Sequence, residues 1–310
     1  YLKRRFNLTY NPQGEIIVTV GGSEALDLAI RALVNPGDEV IIPVPCFVCY
    51  GPITELTGGT PVYVETKVEN EFRITADELR AAITPRTKLL VLPYPNNPTG
   101  GIMEQKDLEA IAEVLRDTDI MVLSDEIYAE LTYGQEHVSI ASIPGMAERT
   151  IVVNGFSKSH AMTGWRMGYV CGPKPVIQQM LKIHQYAIMS APTTSQYAAI
   201  EAMANGDCDV QRMRREYDFR RRFMLEGLRS LGLECFEPRG AFYMFPSIRQ
   251  TGLSSEEFCE QFLVEQRVAV IPGTAFSPNG EGFVRMCYAS SLENLRTALE
   301  RLDVFLQKFR

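Results

Sequence analysis

From Glu15 to about Ser190, short runs of β-branched and aliphatic residues alternate with longer amphipathic stretches, the rhythm of strands joined by crossover helices. Seven strands are predicted, at residues 16–20, 39–43, 60–64, 88–92, 120–124, 150–154 and 166–171. Helices fit between them. Residues 24–34 run to an Asn35-Pro36-Gly37 stop, 75–82 open with Thr75 and carry Glu78 three residues on, and 104–116 show an apolar stripe of helical period.

After Asn205-Gly206-Asp207 the texture changes. A long charged helix is expected over 209–230, then strand-like segments at 233–236 and 241–245, a helix at 255–265, strands at 268–271 and 283–288, and a final helix at 292–308. This reads as an α/β large domain over residues 1–231, which includes the bridging helix, and a smaller α+β domain over 232–310. Tyr1 to Phe6 read as the last turns of a helix already under way, so a further N-terminal segment is expected upstream.

Composition narrows the class. The 310 residues are 45% hydrophobic and 22% charged, enough apolar mass for two cores, and no run approaches the roughly 18 apolar residues a spanning helix needs. Lys+Arg 31 against Asp+Glu 38 leaves a net charge of −7, the wrong sign for a nucleic-acid partner, and no membrane partner is expected either. Seven cysteines, an odd number spread along the chain, fit free thiols in a reducing cytoplasm.

Chemistry is expected where strands end in polar or Gly-rich turns, because carboxyl ends of strands and the helix N-termini after them expose unpaired N–H groups. Four such turns stand out: Gly21-Gly22-Ser23-Glu24, Tyr94-Pro95-Asn96-Asn97-Pro98-Thr99-Gly100, Ser124-Asp125-Glu126-Ile127-Tyr128 and Gly155-Phe156-Ser157-Lys158. Singly, each has an ordinary reading. Two glycines make a plain strand-to-helix turn, Asp125 an N-cap, and Lys158 a solvated surface charge. Together, an anion cradle, a turn asparagine, a strand-end aspartate, a lysine and a nearby arginine are the parts a pyridoxal phosphate site requires.

Asn97-Pro98-Thr99-Gly100, Ser124 to Tyr128, and the run from Ser157 through Gly164-Trp165-Arg166 to Tyr169 resemble the class I/II aminotransferases, of pyridoxal-phosphate fold type I. The likeness runs from about Gly21 to the C-terminus and is closest to bacterial aspartate and aromatic aminotransferases. It implies a mostly parallel seven-stranded sheet, pyridoxal 5'-phosphate as cofactor, a homodimer, and transfer of an amino group from an L-amino acid to a 2-oxo acid. The route implied is ping-pong, through pyridoxamine phosphate, in amino acid metabolism.

Carried over position by position, the resemblance implies that Lys158 forms the Schiff base and that Asp125 partners the pyridine nitrogen. Asn97 and Tyr128 would bond the ring hydroxyl oxygen, and Phe47 would stack on the ring. Gly22, Ser23 and Glu24 would donate backbone N–H groups to the phosphate, with Arg166 adding charge. Arg285, in Phe283-Val284-Arg285-Met286-Cys287-Tyr288, matches the arginine for the substrate carboxylate, and Asn97 assists there. One departure is Gly155, where many members carry a phosphate-binding serine; Ser157 is the expected substitute. Pro238 to Tyr243 are expected to pack rather than react.

Other features are set aside. Cys46-Phe47-Val48-Cys49 has C-x-x-C spacing, but no second ligand pair accompanies it, so no metal is expected. His137, His160 and His184 show no triad or metal spacing, and surface or packing roles are expected. The arginines between 212 and 222 interleave with acids on one helix, which reads as a solvated face. Two rivals share the fold: a carbon–sulfur β-lyase, and the cofactor-sensing domain of a transcriptional regulator.

Overall fold

The computed structural model describes residues 1–310. In chain order the elements are α1 (Leu2–Phe6), β1 (Ile16–Thr19), α2 (Gly21–Leu33), β2 (Glu39–Val44), α3 (Tyr50–Leu56), β3 (Thr60–Glu65), α4 (Ala76–Ala82), β4 (Thr87–Leu92), α5 (Gln105–Leu115), β5 (Met121–Asp125), β6 (Thr150–Gly155), β7 (Gly168–Cys171), α6 (Lys174–Ala187), α7 (Thr193–Asn205), α8 (Asp207–Ser230), β8 (Tyr243–Met244), α9 (Ser255–Gln266), β9 (Ile271–Pro272), β10 (Val284–Cys287) and α10 (Leu292–Leu306).

All seven expected strands form one sheet, in the order β1-β7-β6-β5-β4-β2-β3. It is parallel from β3 to β6, while β7 runs antiparallel to both β6 and β1. The arrangement follows from the strand sequences, which are apolar on both faces. Val40, Ile42, Leu89, Val91, Leu123 and Ile151 pack under α2 and α6, and the alternate residues Ile41, Leu90, Leu92 and Val122 pack under α4 and α5. A sheet covered on both sides is what crossover helices produce. Each fully buried aliphatic side chain contributes roughly 1.5–3 kcal/mol. Thr75 and Glu78 form the expected reciprocal cap of α4.

A second core lies against α8, where Met224, Leu225 and Leu228 pack with Phe258 and Phe262 of α9, Phe305 of α10, and Met244 and Met286 of a three-stranded sheet ordered β8-β10-β9. Two expected strands here fall short. Residues 233–236 form no ladder, although Leu233 and Cys235 are buried and Glu234 is exposed. Residues 268–271 contribute to pairing only at Ile271. In both places the alternation reports burial against the core and not strand pairing. Helices α3, α6 and α7 were not expected. Arg212, Arg220 and Arg222 of α8 form ion pairs along the helix as anticipated, but Arg221 turns inward and bonds Asp218 and Glu237.

Neighbouring strands β4, β5 and β6 end side by side, so the turns that follow them deliver Asn97, Asp125 and Lys158 to one rim of the sheet. No helix is long and apolar enough to cross a membrane.

Candidate active site

The three strand-end turns, the N-terminus of α2, the start of α3 and strand β10 enclose a cavity of about 270 Å³. Its lining includes Gly22, Ser23, Phe47, Asn97, Asp125, Tyr128, Ser157, Lys158, Arg166 and Arg285. Every expected site residue except Glu24 therefore meets in one place. Glu24, expected to offer its backbone N–H, is absent from that lining, and its side chain is engaged separately: the carboxylate accepts from the Val20 N–H and lies 2.6 Å from Nδ1 of His184. It ties the turn before α2 to α6 rather than lining the cavity. Of the histidines expected in surface or packing roles, two pack against acids: His184 on Glu24 and His137 on Glu126.

At the α2 end the backbone approaches closely. Gly21 has φ +73°, and a Cβ there would sit 2.5 Å from Nη2 of Arg166. The guanidinium thus lies across a helix N-terminus whose first N–H groups have no partner within the helix, the arrangement that holds an anion. Arg166 itself is set by a bond from Nη1 to the Thr163 carbonyl. Gly155 lies opposite Gly168 in the β6–β7 pair, and a Cβ at 155 would come within 2.9 Å of Gly168 Cα and the Met167 carbonyl. Close strand approach therefore explains the glycine where many family members have serine, and Ser157 lines the cavity instead.

Asp125 is buried at the end of β5. Tyr50 donates its hydroxyl to Oδ2 at 2.7 Å and the Ile127 N–H donates to Oδ1 at 3.2 Å. Burial nevertheless pushes its carboxyl up to about 6, against the pull of those bonds. Neither of its hydrogen-bond donors is a cation, a place that a protonated ring nitrogen would fill. Lys158 is displaced the other way: burial, then the Arg166 and Arg285 charges, lower its ammonium below the usual lysine range. Its Nζ lies 5.9 Å from the Tyr128 ring and 5.8 Å from the Phe242 ring.

Arg285 reaches in from β10. Its guanidinium lies 4.5 Å from the Tyr243 ring and 4.9 Å from the Phe276 ring, and Nη1 donates to Oδ1 of Asn97 at 2.9 Å. Asn96, one residue earlier, accepts from the Thr99 N–H and hydroxyl and shapes the turn, which leaves Asn97 to face the cavity. Tyr128 and Tyr243 hydroxyls are 2.9 Å apart. Segment 238–243 is therefore more than packing, since Tyr243 lines the cavity. A helix N-terminus beside a guanidinium, a buried carboxylate, a lysine with a lowered pKa and an arginine on the far wall make a lining that pyridoxal 5'-phosphate together with an amino acid would fit.

Tyr50 and Tyr243 are the functional-site residues that sequence reasoning missed. The Phe47 and Tyr50 rings meet edge to face at 6.2 Å, but Phe47 precedes α3, so their spacing carries no local sign of that helix.

The profile of the family described as "Aminotransferase class I and II" matches residues 1–302. YugH of Bacillus subtilis, an aminotransferase by name, is 52% identical over 308 residues, covering 99% of this chain and 80% of that protein. Aspartate aminotransferase of Pyrococcus abyssi is 46% identical, with 99% and 80% covered. The crystal structure of the aromatic aminotransferase of Pyrococcus horikoshii superposes with a TM-score of 0.96 at 45% identity, covering 99% of this chain and 83% of that one.

Proposed function

Since this chain belongs to the class I and II aminotransferase family and transfers amino groups, we propose that it does so with pyridoxal 5'-phosphate seated in the cavity between α2, the β4–β6 strand ends and β10. The family is generally dependent on that cofactor. One observation carries the reading: Lys158, Asp125, Asn97, Tyr128, Arg166 and Arg285, drawn from four separate segments, line a single cavity.

Each side chain has a distinct task. The N–H groups of Gly22 and Ser23, with Ser157 and Arg166, hold the phosphate, and Phe47 covers one face of the ring. Asn97 and Tyr128 bond the ring hydroxyl. Asp125 holds a proton on the ring nitrogen, and the charged ring when bound supplies the electron sink for the pair left behind as an α-proton departs. Arg285 grips the α-carboxylate of the amino acid with its planar fork, while the Asn97 contact fixes the fork's angle. Lys158 would hold the cofactor covalently, and its amine, with a lowered pKa, would serve as general base for the α-proton. Donor amino acid and acceptor 2-oxo acid use the same residues in turn, which gives ping-pong kinetics.

Aspartate and aromatic amino acids are the donors this reading favours, because relatives bearing both names match nearly the whole chain. A homodimer in the cytoplasm completes the proposal, supported by the family membership and by seven free thiols. The division into a cofactor-binding domain to residue 231 and a smaller domain beyond is supported by the two sheet cores being separate from the core of α9, α10, β8 and β10, which α8, Tyr128, Leu131 and Tyr133 join from the larger part.

Absorption spectroscopy tests the reading. Added pyridoxal phosphate should give a visible band that an amino donor removes and 2-oxoglutarate restores. Lys158→Ala should lose the band of the covalently held cofactor and at least about a thousandfold in turnover. A wild-type protein that forms no such band would refute it.

A further inference from the structure

Asp125 stands in a buried setting with few allies. Glu126, the next residue, is an acid already satisfied by Ser124, Ser139 and His137, and its charge disfavours a second anion beside it. Cys49 and Tyr128 also face Asp125 and, being able to ionise only to anions, offer it no cation; Lys158 is the one cationic group acting on it. A single side chain donates a hydrogen bond to its carboxylate, the Tyr50 hydroxyl at 2.7 Å. Tyr50 is itself held rigidly: it is 1% exposed, begins α3, packs edge to face on Phe47, and its carbonyl accepts from Thr54.

Resting on the reading of Asp125 as partner of the cofactor's ring nitrogen, we infer that Tyr50 is a positioning residue for the reaction, its hydroxyl holding the Asp125 carboxylate fixed and ionised for that contact. The Ile127 N–H alone, at 3.2 Å on the other oxygen, leaves Oδ2 free to turn and to take a proton. A bond donated to the ionised form lowers a carboxyl pKa, so removing it raises the pKa further above its already elevated value. The cofactor contact then fails at a higher pH.

Tyr50→Phe deletes one oxygen and keeps the ring. The apoproteins of wild type, Y50F, D125N and the double variant are titrated with pyridoxal phosphate, following quenching of the single tryptophan, Trp165, which adjoins Arg166. The reconstituted enzymes are assayed for kcat/KM across pH. Y50F should bind the cofactor about tenfold more weakly. Its acid limb should move to higher pH, a change that loss of packing alone would not cause. In the D125N background the same substitution should change affinity less than twofold, because the tyrosine acts through the carboxylate.

Wild-type affinity and an unmoved acid limb in Y50F, with D125N impaired, would overturn the inference and leave the role of Asp125 intact. An equal loss in the D125N background would overturn it too. D125N binding like wild type would overturn the role of Asp125 itself, and the inference with it. Apoprotein thermal melts check folding; if Y50F does not fold, Tyr50→His restores an N–H donor there. That variant should keep affinity within about threefold of wild type, and a loss matching D125N refutes the idea.

Discussion

Replacing Asp125 by asparagine should change how the apoprotein's stability responds to pH. In the folded chain burial raises this carboxyl from 3.8 to about 6. At about 1.36 kcal/mol per tenfold change in an ionisation constant, that rise is a cost of about 3 kcal/mol for keeping Asp125 ionised in the folded state above pH 7. The sign follows from proton binding: the folded form holds this proton more tightly than the unfolded form, so the cost is absent well below pH 3.8. It grows as pH climbs through the interval up to about 6 and is complete above it. Between pH 5.0 and 7.5 the wild-type apoprotein should therefore lose about 1.4 kcal/mol that D125N does not lose. Asparagine forfeits part of the absolute gain at neutral pH, about 1 kcal/mol, because the Tyr50 hydroxyl and Ile127 N–H both point at an acceptor. The pH-dependent difference between the two proteins is the cleaner quantity. Urea denaturation of both apoproteins at the two pH values measures it, and a difference that stays constant within about 0.5 kcal/mol would refute the burial argument. Pyridoxal phosphate should reverse the order, stabilising wild type more than D125N, since binding to the folded form alone adds stability.

Two further outcomes follow from the geometry. Arg285→Gln should raise KM for the amino acid about 10- to 100-fold while leaving the visible band of the bound cofactor in place, because the grip on the carboxylate is lost and Lys158 is untouched; steady-state kinetics beside an absorption spectrum separates the two. Gly155→Ser should lower stability by about 1–3 kcal/mol, read from the urea midpoint, because its Cβ would press into Gly168 and the Met167 carbonyl; a serine accepted there without loss would show that the β6–β7 approach is not the constraint.

What the sequence by itself determined was local. Strands β1 to β7 follow from runs of aliphatic residues a few positions long, and Asn97, Asp125 and Lys158 were legible because each sits just beyond such a run, where a parallel sheet collects its ligand. Glycine and proline turns marked those ends. Resemblance then supplied the roles, and Arg285 among them. Where the periodic signal failed, as at residues 233–236 and 268–271, it failed because burial and strand pairing leave the same alternation in the sequence. What tertiary structure alone decided is the pairing of residues far apart in the chain. Tyr50 meets Asp125 across 75 positions, Glu24 meets His184 across 160 and leaves the cavity, and Arg285 meets Asn97 across 188. No local preference encodes such contacts: they exist because two cores and a covered sheet fix where every rim residue lies, and the packing energy that does so belongs to the whole chain.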